Sequence, residues 1–476
     1  MNRRRFLINF SRSISGGVLA LSFPQINCQT ISQKKKPNFV FILIDDLGWT
    51  DLSGCGSDLY ESPNIDKLFA SGMKFTNAYA ACTVCSPTRA SILTGKYPAT
   101  VNITDWIPGH ARPWAKLKVP EFNQQLPLDE IIIAEALKPA GYITASMGKW
   151  HLGGENFYPE KQGFDINIGG THKGQPPSYF SPYNIPTLTD GKQGEYLTDR
   201  LADEAEIFIE QNKDKPFFLY WPHFAVHTPI QAKEEMTAKY NAKIKQDMVH
   251  NNPVYAAMIQ SVDEAVGRVM KKLKELGIAD NTIIIFMSDN GGLARVTSNV
   301  PLRAGKGSAY EGGTRTPMAI CWPGTIKPGS VCHTPVCSVD FYSTILEMAG
   351  VKIPSSQIVD GVSLVPLLTQ KDSINRNALF WHYPHYHPGG ATPYSAIRYD
   401  DFKLIEFFES NTLELYNLKA DIGEKNNLAE TMPEKVNELY DMLKKWREKA
   451  GARLPVPNPD YDPARERERP SARKRK

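Results

Sequence analysis

The chain has 476 residues, of which 41% are hydrophobic and 22% are charged. This composition is typical of a globular protein with a sizeable core, and it excludes wholesale disorder, collagen-like repeats and a polytopic membrane protein. The net charge of +4 is uneven: residues 1–36 contain seven basic and no acidic residues, residues 464–476 contain seven basic and two acidic ones, and the body between them carries −8. Because the basic charge lies at the two ends, we expect no nucleic-acid binding by the folded body.

Residues 1–30 have the pattern of a removable export signal. Arg3 and Arg4 precede an apolar stretch, residues 14–23, that is too short to span a bilayer, which takes about 20 residues. The arginine pair resembles the twin-arginine signals of bacteria, so we expect export to the periplasm and no transmembrane segment. The alternatives are an ordinary secretory signal and a basic start to a cytosolic protein. Cys28 offers a lipid-attachment site and hence a surface-anchored form.

Four apolar, β-branched runs predict buried strands at residues 38–44, 142–147, 217–221 and 282–287. Helix-like stretches lie between them at residues 128–137, 197–211 and 254–276. This alternation predicts an α/β fold with a large, mostly parallel sheet flanked by helices on both faces. Ligands bind at the carboxyl ends of the strands in such sheets. The residues that follow the four runs should therefore share one site.

Those residues are polar or titratable: Asp45, Asp46, Lys149, His151, His223, His227, Asp289 and Asn290. Each group alone could be a turn or a helix cap. Together, the oxygen-bearing members Asp45, Asp46, Asp289 and Asn290 offer the hard ligands that suit calcium or magnesium. The positive or proton-bearing members, with Lys306 farther along, favour an anionic substrate such as a sulfate or phosphate ester.

Residues 85–95 predict a helix whose first residue is Cys85, because Pro87 suits a first helical turn. A helix N-terminus favours an anion, so a nucleophilic thiolate is one interpretation and a buried core cysteine is the other. Cys82 and Cys85 also form a Cys-x-x-Cys pair, but no second pair follows, which makes a zinc site weak. The six cysteines after Cys28 permit disulfides without forming a disulfide scaffold.

Three stretches, taken in order, resemble the type I sulfatases of the alkaline-phosphatase-like superfamily, and in particular bacterial polysaccharide sulfatases. Cys85, Pro87 and Arg89 match the family element Cys-x-Pro-x-Arg, with Thr88 in place of the commoner serine. Residues 141–151 match the second signature. Residues 302–313, which we call the lysine loop, match the segment that carries a catalytic lysine, here Lys306. The resemblance covers roughly residues 37 to 450.

The resemblance implies that a maturation enzyme oxidises Cys85 to formylglycine (3-oxoalanine), which replaces the thiolate as the nucleophile. It implies one bound calcium, held by Asp45, Asp46, Asp289 and Asn290. It also implies catalytic roles for six residues. Cys85 supplies the nucleophile, Arg89 and Lys149 position it, His151 accepts a proton from it, and His227 or Lys306 protonates the leaving oxygen. His223, four residues before His227, is the second choice for that position.

The resemblance also implies the domain organisation. We expect a catalytic domain at residues 37–375 and a C-terminal subdomain at residues 376–450. The subdomain should contain short antiparallel strands near residues 395–398, 402–405 and 413–416 and a helix at residues 433–449. Residues 451–476 lack apolar periodicity and predict a disordered basic tail.

Residues 381–390 are rich in aromatic and imidazole groups that suit stacking on sugar rings. We expect substrate contacts from its histidines and from two residues elsewhere: His382, His385, His387, Trp106 and His223. We therefore predict an exported hydrolase that removes sulfate from polysaccharide or oligosaccharide fragments, either glycosaminoglycans or algal polymers such as ulvan or carrageenan. A transition-metal site made by the three histidines is an alternative for this segment.

Two other functions stay open from the sequence. Some relatives with the same cysteine element cleave phosphonates or phosphodiesters, and rates on matched sulfate and phosphate esters would separate these activities. The second is a non-catalytic glycan-binding protein with an intact Cys85 thiol. A redox protein built on Cys82 and Cys85 would show a reversible disulfide and no calcium dependence.

Overall fold

The structure is a computed structural model that describes residues 35–466. The predicted export signal, with Arg3, Arg4 and Cys28, lies outside the described residues, as do residues 467–476 of the predicted tail. From Lys36 onward the described residues belong to one compact unit. Among them, no helix combines the length and the apolar character needed to cross a bilayer.

The described residues contain sixteen strands. In chain order these are β1 (Asn38–Ile44), β2 (Met73–Phe75), β3 (Ala78–Tyr79), β4 (Leu117–Lys118), β5 (Ile143–Met147), β6 (Ile166–Ile168), β7 (Phe217–Pro222), β8 (Thr282–Ser288), β9 (Met318–Cys321), β10 (Ser330–Cys332), β11 (Val336–Cys337), β12 (Ala378–Tyr383), β13 (Tyr394–Tyr399), β14 (Phe402–Phe407), β15 (Thr412–Asn417) and β16 (Val456–Pro457). The four apolar runs form β1, β5, β7 and β8, as predicted.

Twelve α-helices lie in the same part of the chain: α1 (Pro63–Ser71), α2 (Cys85–Thr94), α3 (Pro98–Val101), α4 (Ile133–Leu137), α5 (Leu197–Gln211), α6 (Glu234–Asn241), α7 (Pro253–Glu275), α8 (Glu311–Thr314), α9 (Asp340–Met348), α10 (Val365–Leu368), α11 (Pro433–Ala450) and α12 (Pro463–Glu466). Short 3₁₀ segments occur at Ser53–Cys55, Lys138–Ala140, Glu155–Phe157, Pro159–Gln162 and Ala279–Asn281. The predicted helices at residues 197–211 and 254–276 correspond to α5 and α7.

The helix predicted at residues 128–137 is shorter than expected. It begins only at Ile133, because the carboxylate of Glu135 accepts the backbone N–H of Ile132 at 3.0 Å and caps the chain there. After Leu137 the chain continues as a 3₁₀ turn that contains Pro139.

Eight strands form the main sheet in the order β10-β2-β9-β8-β1-β7-β5-β6. Neighbours run parallel except at β9, which is antiparallel to both β2 and β8. The mostly parallel sheet is therefore confirmed. The four strands that precede the polar residues, β8-β1-β7-β5, are adjacent in it, so their carboxyl ends meet at one edge.

The central strand β1 is buried along its whole length of seven residues. Its side chains alternate between two cores: Val40, Ile42 and Ile44 pack with residues of α1, α5 and α7, while Phe39, Phe41 and Leu43 pack with residues of α2, α4 and α9. Helices therefore cover both faces, as predicted. Each such buried side chain contributes about 1.5–3 kcal/mol, which makes β1 a firm support for the residues that follow it.

The C-terminal subdomain contains a four-stranded antiparallel sheet, β12-β13-β14-β15. Helix α11 lies against it through Val436, Leu439 and Leu443, which pack with Ile397, Leu404 and Leu415. The three predicted strands and the predicted helix are all present. Strand β12 was not predicted, and it contains His382 from the segment that we expected to contact sugar.

The structure differs from the expectation of a disordered tail over residues 451–466. Strand β16 pairs with β4, and the side-chain amide of Asn458 donates to the carbonyl oxygens of Pro113 at 2.7 Å and Ala115 at 2.6 Å. These contacts satisfy backbone groups and do not depend on an apolar stripe. Hydrophobic periodicity could not reveal them.

Candidate active site

The carboxyl ends of four adjacent strands bring the predicted site residues together. Asp45 and Asp46 follow β1, Asp289 and Asn290 follow β8, Lys149 and His151 follow β5, and His223 and His227 follow β7. Gly148 permits the approach of β5 to β7, because a Cβ at this position would lie 1.9 Å from the carbonyl oxygen of Pro222. The backbone N–H of Lys149 donates to that same oxygen at 2.7 Å.

Cys85 is the first residue of α2, and the whole helix is buried. Its Sγ lies 3.3 Å from Nδ1 of His151, while Nε2 of His151 lies 2.6 Å from the carbonyl oxygen of Ile107. A carbonyl oxygen can only accept a hydrogen bond, so Nε2 carries the proton. Burial, helped by the charge of Lys149, lowers the pKa of His151 well below its ordinary value. The imidazole is therefore neutral, and the lone pair of Nδ1 faces Cys85.

Three cations face the three buried carboxylates of the site. Lys149 Nζ lies 2.7 Å from Asp45 Oδ2, and Lys306 Nζ lies 2.6 Å from Asp46 Oδ1. Arg89 donates from Nε at 2.9 Å and from Nη2 at 2.7 Å to one oxygen of Asp289. Nη2 of Arg89 also approaches Asp45 Oδ1 at 3.8 Å. This charge compensation makes a cluster of buried carboxylates tolerable in the core.

The carboxylates differ in their proton affinity. Burial raises the pKa of Asp45 well above its ordinary value, and the neighbouring charge of Asp289 adds to this. Burial also opposes ionisation of Asp46, but Lys306 and His227 outweigh it and lower its pKa. Arg89 and Lys149 likewise lower the pKa of Asp289 against its burial. Burial lowers the pKa of Lys306, but Asp46 together with other negative groups of the site outweighs it, so the net shift is upward and this ammonium stays charged.

The oxygen-rich centre fits a divalent cation. Three of its buried oxygens have no hydrogen-bond partner: Asp45 Oδ1, Asp46 Oδ2 and Asn290 Oδ1. Asp45, Asp46 and His227 each offer one ligand atom, and these atoms lie within 4.8 Å of one another. Buried unpaired oxygens are costly unless a ligand satisfies them, and this donor set suits calcium or magnesium. Both oxygens of Asp289 are already engaged, by Arg89 and by the backbone N–H of Asp46.

Two of these residues adopt backbone angles that L-amino acids rarely take. Asp46 has φ 63° and His151 has φ 61°. Such left-handed conformations are strained in non-glycine residues and persist where the surroundings hold them, commonly at functional sites. Both lie in the segments that follow β1 and β5, so the strain accompanies the placement of a site residue.

The two histidines after β7 have different surroundings. His227 is partly exposed, its Nδ1 lies 2.8 Å from the carbonyl oxygen of Thr228, and its Nε2 lies 3.7 Å from Asp46 Oδ2. His223 is fully buried against Trp221, and neither ring nitrogen has a hydrogen-bond partner. Burial lowers the pKa of His223 to about 3. The ring of His223 is therefore enclosed beside Trp221, and its contact with substrate stays a prediction.

The residues expected to contact sugar fall into two groups. His382 is buried in β12, where its ring nitrogens lie 2.7 Å from Ser395 Oγ and 2.9 Å from the carbonyl oxygen of Arg453. These contacts give His382 a structural role in the C-terminal sheet, and its contact with substrate stays a prediction. His385 is also buried, with Nε2 2.8 Å from Thr104 Oγ1.

His387 and Trp106 lie nearer to the reacting groups. The ring of His387 packs against the lysine loop so closely that a Cβ at Gly307 would lie 1.9 Å from its Nδ1. Trp106 is partly buried, and it directly precedes Ile107, whose carbonyl oxygen contacts His151. The structure therefore brings these two residues to the border of the site.

Three neighbours of the site were missed in the sequence. Ser86 Oγ donates to the carbonyl oxygen of His151 at 3.0 Å and accepts the N–H of Ile107 at 3.2 Å. Asp105 is buried and accepts the hydroxyl of Tyr383 at 2.7 Å, and burial raises its pKa to about 8. Ser86 stands inside the Cys-x-Pro-x-Arg element, which was the available signal. Asp105 and Ile107 had none beyond their place in a loop with Trp106.

All six cysteines between residues 35 and 466 are free: Cys55, Cys82, Cys85, Cys321, Cys332 and Cys337. Burial raises the pKa of Cys82, which disfavours its thiolate. Because both thiols are free, Cys82 and Cys85 do not form a disulfide in this part of the chain.

The site and the fold agree with the comparisons. The sulfatase family model matches residues 37–351, and the model named N-sulphoglucosamine sulphohydrolase, C-terminal, matches residues 305–450. A protein of Formosa agariphila named sulfatase is 34% identical and covers 94% of this chain and 93% of its own length. N-acetylgalactosamine-6-sulfatase of Rattus norvegicus is also 34% identical and covers 77% of this chain and 70% of its own.

A solved structure extends the similarity to three dimensions. Ps i-CgsB in complex with k-i-k-neocarrahexaose is 31% identical, has a TM-score of 0.76, and covers 90% of this chain and 95% of that chain. A family model that matches most of the chain, relatives that align over nearly all of it, and the buried cysteine, base and carboxylate cluster agree. The chain belongs to the sulfatase family and is a sulfuric ester hydrolase.

Proposed function

We propose that this chain is an exported sulfatase that removes sulfate from sulfated polysaccharide or oligosaccharide fragments, with a formylglycine made from Cys85 and a bound calcium. The observation that carries the proposal is the contact between Cys85 and His151. A neutral imidazole presents its lone pair 3.3 Å from the side chain at the start of a buried helix. A base in that position can accept a proton from a hydroxyl on residue 85.

Cys85 is the proposed target of the maturation enzyme. Formylglycine, when formed, supplies a hydrated aldehyde with two hydroxyl groups. One hydroxyl can attack sulfur, and loss of the proton from the other can re-form the aldehyde and expel sulfate. His151 holds the proton of the second hydroxyl at Nδ1, because its Nε2–H is already committed to Ile107. Arg89 lies on α2, one turn after Cys85, and Lys149 follows β5. Both contact the carboxylates, where they orient the nucleophile and offset negative charge.

Calcium is the proposed metal, and Asp45, Asp46, Asp289 and Asn290 are its proposed ligands. The three unpaired oxygens of Asp45, Asp46 and Asn290 support this choice. When bound, calcium neutralises negative charge on a sulfate oxygen and on the nucleophile. Asp289 Oδ2 already accepts from Arg89, so this guanidinium would share the carboxylate with a bound calcium.

His227 and Lys306 are the proposed donors to the leaving alcohol oxygen. Lys306 is charged and stands at the carboxylate cluster on one side. His227 is on the opposite loop, after β7, with Nε2 toward the same carboxylate, Asp46. The charged Lys306 can therefore donate a proton to the leaving oxygen, whereas His227, whose Nδ1–H faces the carbonyl oxygen of Thr228, would need a second proton at Nε2 to do so.

The substrate class is supported by the relatives. One acts, by its name, on N-acetylgalactosamine 6-sulfate, and another was solved with a carrageenan hexasaccharide. His387 and Trp106 at the border of the site add ring surfaces that suit a sugar. The arginine pair and the apolar stretch in residues 1–30 support export to the periplasm, where such polymers are encountered.

The test is sulfate release by the matured protein from p-nitrophenyl sulfate and from sulfated glycan fragments, namely N-acetylgalactosamine 6-sulfate and carrageenan and chondroitin oligosaccharides. We expect release from at least one glycan, faster than hydrolysis of matched phosphate or phosphonate esters. The matched control is Cys85→Ala, which should release no sulfate. Turnover restricted to the phosphorus esters would replace the proposed activity with phosphonate or phosphodiester hydrolysis.

A further inference from the structure

The loop of residues 104–112 is held by hydrogen bonds beside Cys85 and His151. Ile107 contacts both His151 and Ser86, as described above. On its other side, Thr104 and Asp105 are hydrogen-bonded to His385 and Tyr383 of the C-terminal subdomain. The loop therefore connects α2 to the C-terminal sheet, and Arg112 at its far end contacts His387.

Arg112 presents an uncompensated positive charge at the end of this loop. Its Nη2 lies 3.4 Å from the carbonyl oxygen of His387, and its guanidinium stacks over the ring of Tyr386 with 5.7 Å to the centroid. Among residues 35–466, no carboxylate lies within 4 Å of it, and its Nε and Nη1 donate no hydrogen bond. The side chain is half-buried, so an approaching anion would meet a partly desolvated guanidinium.

His387 places this guanidinium next to the lysine loop. Its ring packs on Gly307, the residue after Lys306. Burial, helped by Lys306, His110 and Arg112, lowers the pKa of His387 to about 3, whereas Asp46 opposes the shift. Arg112 and Lys306 therefore both lie close to this neutral imidazole.

A second unpaired cation, Lys173, is next in sequence to a residue that contacts His151. Lys173 is exposed on the loop of residues 171–175, and no carboxylate of the described chain lies within salt-bridge distance of it. The adjacent Gly174 lies against the catalytic base, since a Cβ there would be 2.5 Å from Cε1 of His151. Residues 37–463 carry −8 overall. Two unpaired cations that flank one site on an acidic body favour an anionic ligand beyond the ester itself.

We propose that Arg112, assisted by Lys173, binds a second negatively charged group of the substrate, beside the sulfate ester that is hydrolysed. The ligand chemistry is a planar or tetrahedral oxyanion, either another sulfate or a uronate carboxylate, which a guanidinium binds with two parallel hydrogen bonds. The inference rests on the proposed function and narrows it. The preferred substrate is a glycan with at least two anionic groups on the same or on adjacent sugars.

The experiment measures how well defined sugars compete with p-nitrophenyl sulfate for the matured enzyme. The probes are N-acetylgalactosamine 6-sulfate, N-acetylgalactosamine 4,6-disulfate, and a disaccharide of glucuronate linked to N-acetylgalactosamine 6-sulfate. We expect one of the two doubly charged probes to bind about tenfold more tightly than the singly charged probe. Tighter binding of the disulfate would identify the second anion as a sulfate, and tighter binding of the glucuronate disaccharide would identify it as a carboxylate.

Arg112→Ala should remove this preference. Arg112→Lys should keep only part of it, because lysine retains the charge but cannot donate the two parallel hydrogen bonds of a guanidinium. The matched control is Arg453→Ala, which removes an exposed guanidinium whose Nη1 also donates to a backbone carbonyl, that of Glu121 at 3.3 Å. It changes the net charge equally and should leave the preference intact. If Arg112→Ala fails to fold, the wild-type preference and Arg112→Lys decide the question.

Two results would overturn the inference. One is equal binding of all three probes by the wild type, and the other is an equal loss for every probe in Arg112→Ala, which would mean that Arg112 only supports His387. In both cases the enzyme would still release sulfate. Absence of sulfate release from every ester would instead contradict the proposed function.

Discussion

Replacing Lys403 with methionine should destabilise the protein and loosen the lysine loop. Lys403 is buried, and its Nζ lies 3.0 Å from both Glu311 and Glu424. Glu311 belongs to the lysine loop, and its backbone N–H donates to Glu424 at 2.7 Å. In the variant, Glu311 retains Arg315 at 2.7 Å, but Glu424 retains no cation. The change therefore leaves a buried carboxylate without a counter-ion at the contact between the C-terminal sheet and the loop that carries Lys306.

Breaking a buried ion pair by removing one partner costs about 3–5 kcal/mol. Burial already raises the pKa of Glu424 to about 7 with Lys403 present, and loss of the lysine must raise it further. In the variant, the pKa of Glu424 in the folded state therefore lies above its pKa in the unfolded state. The stability that the protonated carboxyl provides is then lost as the pH rises through the folded-state pKa. Lys403→Met should therefore lose less stability at about pH 6 than at about pH 8.5, with a slope of up to about 1.4 kcal/mol per pH unit.

Urea unfolding at the two pH values measures this free energy of unfolding. The matched control is Lys419→Met, since Lys419 is 79% exposed and 3.9 Å from Asp401, and it should change stability by less than about 0.5 kcal/mol. Adding Glu424→Gln to Lys403→Met should restore part of the loss, because the unpaired charge is then gone. A loss below about 1 kcal/mol at both pH values, or no recovery in the double variant, would refute the reasoning.

Three further outcomes follow from the structure. Ser86→Ala should lower kcat about tenfold with little change in KM, because it removes the hydroxyl that joins the backbone carbonyl of His151 to the backbone N–H of Ile107. An unchanged kcat would show that the hydrogen bond between His151 Nε2 and Ile107 holds the base without Ser86. Calcium should raise the unfolding temperature of the wild type but not of Asp45→Asn, and equal shifts in scanning calorimetry would exclude Asp45 as a ligand. Asp263→Ala should cost about 2–3 kcal/mol in urea unfolding, because this carboxylate accepts three N–H groups at the start of α1, whereas a neutral result would contradict their importance.

The strands and the position of the site could be predicted because local sequence determines them. A continuous apolar run such as residues 38–44 is stable only where both faces are covered, which requires a central strand of a layered sheet. Polar residues at the ends of such strands must then meet at one edge. This reasoning placed Asp46 and Asp289 together although they lie 243 positions apart in the sequence.

The substrate-facing residues could not be predicted in the same way. His382 and His387 stand five positions apart in one aromatic segment, yet one lies inside β12 and the other packs on the lysine loop. Which of them borders the site depends on the pairing of β12 with β13 and on contacts with distant loops. The order of residues 451–466 likewise arises from pairing with β4, which leaves no local pattern.

The central claim is that Cys85 becomes the formylglycine nucleophile, and peptide mass spectrometry tests it most directly. Trypsin releases residues 75–89 from protein made in a host that has the maturation machinery. We predict that Cys85 has exchanged sulfur and two hydrogens for one oxygen. A Cys85 thiol that stays intact in that host, while a control sulfatase is converted, would contradict the mechanism and favour a glycan-binding protein without catalysis.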